Sequence, residues 1–139
     1  MKKIYLAIPY TGMLESSYEQ ANAATIKIMQ LGHNPFSPIT HSHPLTKFEE
    51  NGLPTTWEFW EKIDYQFIDW ADEVWVCLPE EGLQPVLNSI GVQAEIKYAK
   101  LHNKPVKAII NPHKEDLLSY ELDIHDYDEY LAMPTTQPS

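Results

Sequence analysis

The chain has 139 residues, 43% of them hydrophobic and 22% charged, which suits one globular domain and excludes a wholly disordered chain. Ten basic residues against twenty acidic ones leave a net charge of −10, which disfavours a nucleic-acid polymer as partner but not one small anion held at a helix start. A single cysteine, Cys77, excludes a disulfide framework, and no apolar run approaches the roughly 20 residues that span a bilayer.

Residues 3–8 are a short apolar run bounded by Pro9 and read as a buried strand. The apolar stretch after the two N-terminal lysines is too short for a secretory signal, so the expected location is cytoplasmic. In residues 15–31, Ala21, Ala24, Ile28 and Leu31 recur at helical spacing, and Gly32 stands where a C-terminal cap belongs. Residues 34–37 read as a second short strand ended by Pro38. Residues 38–56, rich in proline, histidine and threonine, read as a long irregular loop, and such loops in compact domains are usually functional or mobile. Trp57, Trp60, Ile63, Phe67 and Trp70 are spaced by three or four and predict a helix over residues 57–71. A strand over 73–78, a loop over 79–88, a helix over 90–102 and a strand over 106–110 follow. The tail, residues 113–139, is acidic and tyrosine-rich, with one or two helical turns and a frayed end expected.

Short apolar strands alternating with helices predict an α/β fold: one parallel-sheet domain over residues 1–112, with helices on both faces. The acidic tail is expected to pack on that domain or on a neighbouring subunit. Ligands of such sheets sit beyond the carboxyl ends of the strands, so loops 9–14, 37–56, 79–89 and the chain from 111 onward should line one site.

No glycine fingerprint for a dinucleotide and no phosphate-binding GxxxxGK[ST] loop occurs, so neither a nicotinamide nor an ATP cofactor is supported. The stretch Ser89-Ile90-Gly91-Val92-Gln93-Ala94-Glu95 is more informative. Ser89 can cap a helix, Gly91 lets a ligand approach the backbone, and the free amides there could hold a phosphate. Glu95 leans back toward that helix start; it reads either as a solvated glutamate or as a carboxylate aimed at the ligand end. Asp64 shares or borders the apolar stripe of its helix, where a carboxylate needs either a partner or a task. His41 and His43 form an HxH pair, but no third ligand stands at a recognisable spacing, so loop polarity or substrate contact is preferred to a metal. Cys77, in mid-strand, reads as a small buried hydrophobe.

These residues in this order resemble the nucleoside 2-deoxyribosyltransferase superfamily. The resemblance lies in the opening strand Ile4-Tyr5-Leu6-Ala7, in Asp64 eight residues before Asp72 and Val74-Trp75-Val76, and in Ser89 to Glu95. Phe36-Ser37-Pro38-Ile39-Thr40-His41-Ser42-His43-Pro44 and Trp57-Glu58-Phe59-Trp60 are similar to an uncharacterised bacterial and phage branch of it. The resemblance spans roughly residues 3–111 and implies a flavodoxin-like, Rossmann-like domain. It implies Glu95 as the nucleophile on a nucleoside's anomeric carbon, Asp64 as sugar-orienting or proton-shuttling residue, and Tyr5 in contact with the nucleophile.

The transferases usually carry aspartate where this chain has Ser89. Serine there resembles the deoxynucleoside 5′-monophosphate N-glycosidases, in which it contacts the phosphate. Pro9, Tyr10, His41, His43, Trp57, Ser89 and Gly91 are the expected substrate contacts. The implied activity is N-glycosidase or 2-deoxyribosyltransferase, through a covalent glycosyl-glutamate, with no metal or organic cofactor. The implied partner is a small nucleoside or nucleotide, and the implied state a homo-oligomer. The alternative is a nucleotide-binding sensor or sequestering protein on the same scaffold, with catalysis lost.

Overall fold

The structure, a computed structural model, describes residues 1–47, 52, 57–110 and 122–133. Five strands form one sheet: β1 (Lys3–Ala7), β2 (Asn34–Phe36), β3 (Glu73–Leu78), β4 (Val106–Ile110) and β5 (Ile124–Asp126), in the spatial order β2-β1-β3-β4-β5. The first four are mutually parallel, with Tyr5 opposite Phe36 on one side and Val74 on the other. β5 runs antiparallel to β4, pairing Ala108 with His125. The sheet is therefore mixed rather than wholly parallel: a three-residue edge strand from the tail closes the β4 side.

Among the described residues, six α-helices connect and cover the strands: α1 (Leu14–Gln30), α2 (Pro38–Ser42), α3 (Trp57–Trp70), α4 (Gln84–Asn88), α5 (Ile90–Leu101) and α6 (Tyr127–Ala132). Strand alternation sorts the core into two layers. Tyr5, Ala7, Val74, Val76, Leu78 and Ala108 pack against Ile68 and Ala71 from the α3 side and Val92, Ile96 and Ala99 from α5. Ile4, Leu6, Ile8, Trp75, Cys77 and Ile109 point to the other face, against Ala21, Ala24 and Ile28 of α1. Burial pushes the Cys77 thiol up to about 12, which leaves it an inert hydrophobe.

Three expectations are revised. The stretch after Pro38 is not irregular throughout: Pro38 opens α2 at its first position, Ser37 caps it by accepting from Thr40 N at 3.2 Å, and a 3-10 turn continues through Lys47. The 79–88 stretch likewise contains α4. On α3 the buried positions are Asp64 and Ile68, while Ile63 is exposed and Trp60, Phe67 and Trp70 are half-buried. The stripe facing the sheet is the one that carries the aspartate. Residues 48–51 and 53–56 of the expected loop, residues 111–121, and residues 134–139 of the expected frayed end lie outside the described residues. No helix among the described residues is long and apolar enough to cross a membrane.

Candidate active site

Three polar side chains meet inside the α3–α5 layer, in a core otherwise built of aliphatic and aromatic residues. Tyr5 stands mid-strand on β1 and is fully buried. Its hydroxyl donates to Glu95 Oε2, from the second turn of α5. Asp64 reaches the same point from α3, and the tyrosine hydroxyl interacts with both carboxyls. Glu95 is 6% exposed and Asp64 9%. Neither is the solvated helical carboxylate that a surface position would give.

Burial and proximity shape the charges here. Asp64 is raised from the ordinary 3.8 to about 7, because burial penalises the anion more than the Tyr5 hydrogen bond favours it. Glu95 is pushed well above the usual carboxylate range by burial first and by repulsion from Asp64 second, with Tyr5 acting against both. Two acids that repel each other in a dry pocket titrate as a pair, so one proton is held between them over a wide pH range. Tyr5 itself is raised by burial and by the two acids, which keeps its proton available for donation.

Trp57 and Gly91 come together above this cluster. The Trp57 ring lies against the start of α5, where a Cβ on Gly91 would just touch it at 3.4 Å. Trp57 meets Tyr65 edge-on with ring centroids 6.2 Å apart, and Tyr65 stacks on Tyr98 at 4.1 Å. Tyr65 feels the charge of both Glu95 and Asp64 and belongs to the wall of the site. The sequence marks it only weakly, since it lies next to Asp64 and about 80° round the helix from Trp57.

Ser89 is the N-cap of α5, its Oγ accepting from Val92 N at 3.1 Å. That bond leaves the serine O–H free to act as a donor. At the carboxyl end of β1, the Pro9 carbonyl accepts from Ser17 Oγ at 2.5 Å, and the Tyr10 carbonyl accepts from Met13 N, which folds the loop into α1. His43 is buried and meets Tyr10 Oη at 2.6 Å, whereas His41 is exposed, with its ring 5.8 Å from Phe36. The β3–α4 loop is pinned to α1: Gln20 Oε1 accepts from Glu80 N at 2.7 Å, and Ser16 Oγ donates to Glu81 at 3.0 Å. Among the described residues, no group of three His, Cys, Asp or Glu side chains is placed to hold a metal ion.

The family described as a domain of unknown function, DUF1937, matches residues 2–110. The fold also resembles a solved structure of a 2-deoxyribosyltransferase from the psychrotolerant bacterium Bacillus psychrosaccharolyticus. The TM-score is 0.50 and the identity 27%, over 75% of this chain and 69% of that one. That enzyme is described as a biocatalyst for the synthesis of antiviral and antitumoral nucleosides. No curated protein matches the sequence.

Proposed function

The chain belongs to the DUF1937 family, within the nucleoside 2-deoxyribosyltransferase-like group, and from that premise we propose that it cleaves the N-glycosidic bond of a 2′-deoxynucleoside or its 5′-monophosphate. The observation that carries the reading is the Tyr5–Glu95 hydrogen bond beside the buried Asp64. Fold likeness alone would not carry it, since one fold hosts many activities.

In this reading the proton shared by the pair sits on Asp64 at the moment of attack, leaving Glu95 ionised with the Tyr5 hydroxyl donating to it. The Glu95 carboxylate attacks the anomeric carbon as the C–N bond breaks. The leaving base keeps the bonding electrons and takes the Asp64 proton. Water then adds to the same carbon, returns a proton to Asp64 and releases Glu95 from the ester. A second base in place of water turns hydrolysis into transfer. No step needs a metal or an organic cofactor. Trp57, on Gly91, and Tyr10, at the end of β1, supply flat aromatic faces for the base.

Chromatographic detection of free base from a panel of nucleosides and 5′-monophosphates tests the reading. Glu95→Gln keeps the shape and removes the charge, and base release should fall by on the order of a thousandfold. Release by Glu95→Gln at the parent rate would remove Glu95 from its role. Binding of nucleotides without release by the parent would leave the sequestering protein instead.

A further inference from the structure

His43 is 4% exposed, and its two ring nitrogens face two different partners. Nε2 lies 3.0 Å from Glu15 Oε1, on the first turn of α1. Nδ1 lies 2.6 Å from Tyr10 Oη, on the loop that follows β1. The Tyr18 ring lies along the imidazole, with centroids 4.5 Å apart and planes 31° apart. The Tyr10 ring meets it edge-on at 5.7 Å. Three side chains from the β1–α1 segment thus converge on one histidine that enters from the turn after α2.

The direction of the two bonds follows from the tautomer of the ring. A carboxylate only accepts, so Nε2 carries the proton toward Glu15. In the neutral ring Nδ1 is then the acceptor, and the Tyr10 hydroxyl donates to it. Glu15 sets the tautomer, Tyr18 holds the ring plane, and the imidazole ties down the hydroxyl end of Tyr10. A ring so deeply buried presents almost no surface to a ligand, while Tyr10 is only half-buried.

We propose that His43 is a positioning residue: with Glu15 and Tyr18 behind it, it fixes the Tyr10 ring at the carboxyl end of β1, where that ring governs ligand affinity rather than the bond-breaking step. The inference rests on the reading that the nucleoside lies at this end of the sheet. It moves His43 from substrate contact to support of a contact. A tyrosine on a loop otherwise samples several rotamers, and ordering it on binding costs affinity. Ordering it beforehand removes that cost without touching the Glu95–Asp64 chemistry.

The test compares the parent with Tyr10→Phe, His43→Phe, His43→Asn and the double variant Tyr10→Phe/His43→Phe. Affinity for each of the four 2′-deoxynucleoside 5′-monophosphates is measured by calorimetry, and base release by steady-state kinetics. His43→Phe should weaken binding and raise KM by about tenfold while kcat stays within about twofold. Tyr10→Phe should do the same, and the double variant should be no worse than His43→Phe alone, because the bond between the two residues is already lost there. His43→Asn, which keeps an acceptor near the place of Nδ1, should recover much of the loss. Additive losses in the double variant, no rescue by asparagine, or a fall in kcat at unchanged KM would each overturn the proposal. If the parent binds the monophosphates but releases no base, the enzymatic reading fails while the binding cycle still decides the role of His43. If the parent binds none of them, both fall. Should His43→Phe not fold, the comparison of Tyr10→Phe with His43→Asn decides: unchanged affinity in Tyr10→Phe overturns the proposal.

Discussion

A buried carboxylate costs free energy unless something on the protein replaces its water, and at Glu95 that something is one tyrosine hydroxyl. The cost shows at Asp64 as a carboxyl raised from 3.8 to about 7. Between those values the folded chain holds a proton that the unfolded chain has released. The unfolded state therefore binds fewer protons, and stability falls as pH rises through this window. Asp64→Asn removes Asp64's part of the slope and relieves the repulsion on Glu95, whose burial still gives a slope of the same sign in both proteins. The melting temperature of Asp64→Asn minus that of the parent should accordingly be larger at pH 8 than at pH 5. Glu73, held low by Lys2, Trp75 and Lys107 against its burial, contributes the opposite slope, but equally in both proteins. Scanning calorimetry at the two pH values checks this, and an equal difference at both would contradict it. The placement of Asp64 and Glu95 was half legible in the sequence. Helical spacing put Asp64 at the edge of an apolar stripe and put Glu95 beyond a capped, glycine-bearing helix start. Their common burial was not legible, because it depends on Tyr5 arriving from a strand ninety residues before Glu95.

Elements whose residues agree with one another were read well, and those whose signals compete were not. β3 and β4 match their expected limits, since a parallel strand covered on both faces is a mostly apolar run, broken here by Glu73 and Lys107 alone. α2 and α4 are five residues each, begin at or beside a proline, and carry too few apolar positions to show a period. In α3 the large aromatics suggested the wrong stripe: Asp64, Ile68 and Ala71 face the sheet, and the tryptophans sit at its margin. The start of α5 yields a prediction at this scale. Ser89 caps the helix by accepting from Val92 N, so Ser89→Ala should lower stability by about 1 kcal/mol. If the serine O–H and the Ile90 and Gly91 amides also hold a 5′-phosphate, the parent should bind a monophosphate more tightly than its nucleoside, by roughly tenfold for each 1.4 kcal/mol. Ser89→Asp separates the two roles, because aspartate caps as well as serine but repels an anion. That variant should keep its melting temperature and lose the preference. Calorimetric titration of a nucleoside and its monophosphate decides, and equal affinity in the parent would exclude a phosphate contact.

At the scale of the whole molecule, the two layers bury the aliphatic side chains and leave an apolar remainder outside. On α5, Ile90 is 77% exposed and Leu101 70%, and they share one helix face with Lys97 between them. Leu87, just before Ser89, is also exposed. On α3, half-buried Phe59 and exposed Ile63 form a second, short outward stripe, while Trp70 packs against the core. Scattered apolar residues need no explanation, but two outward apolar stripes are candidates for surface that a partner covers. The charge of −10 opposes self-association at long range, yet it is screened beyond about 8 Å at physiological ionic strength, so contact between apolar faces decides. We expect at least a dimer, with a contact drawn from these outward apolar residues. Ile63→Glu and Ile90→Glu place a charge in each stripe without touching the core. Both should shift the molecule toward monomer in light scattering at micromolar concentration, and the pair together more than either alone. A monomeric parent under those conditions would contradict the expectation. A dimer that ignores both substitutions would place the contact elsewhere on the molecule.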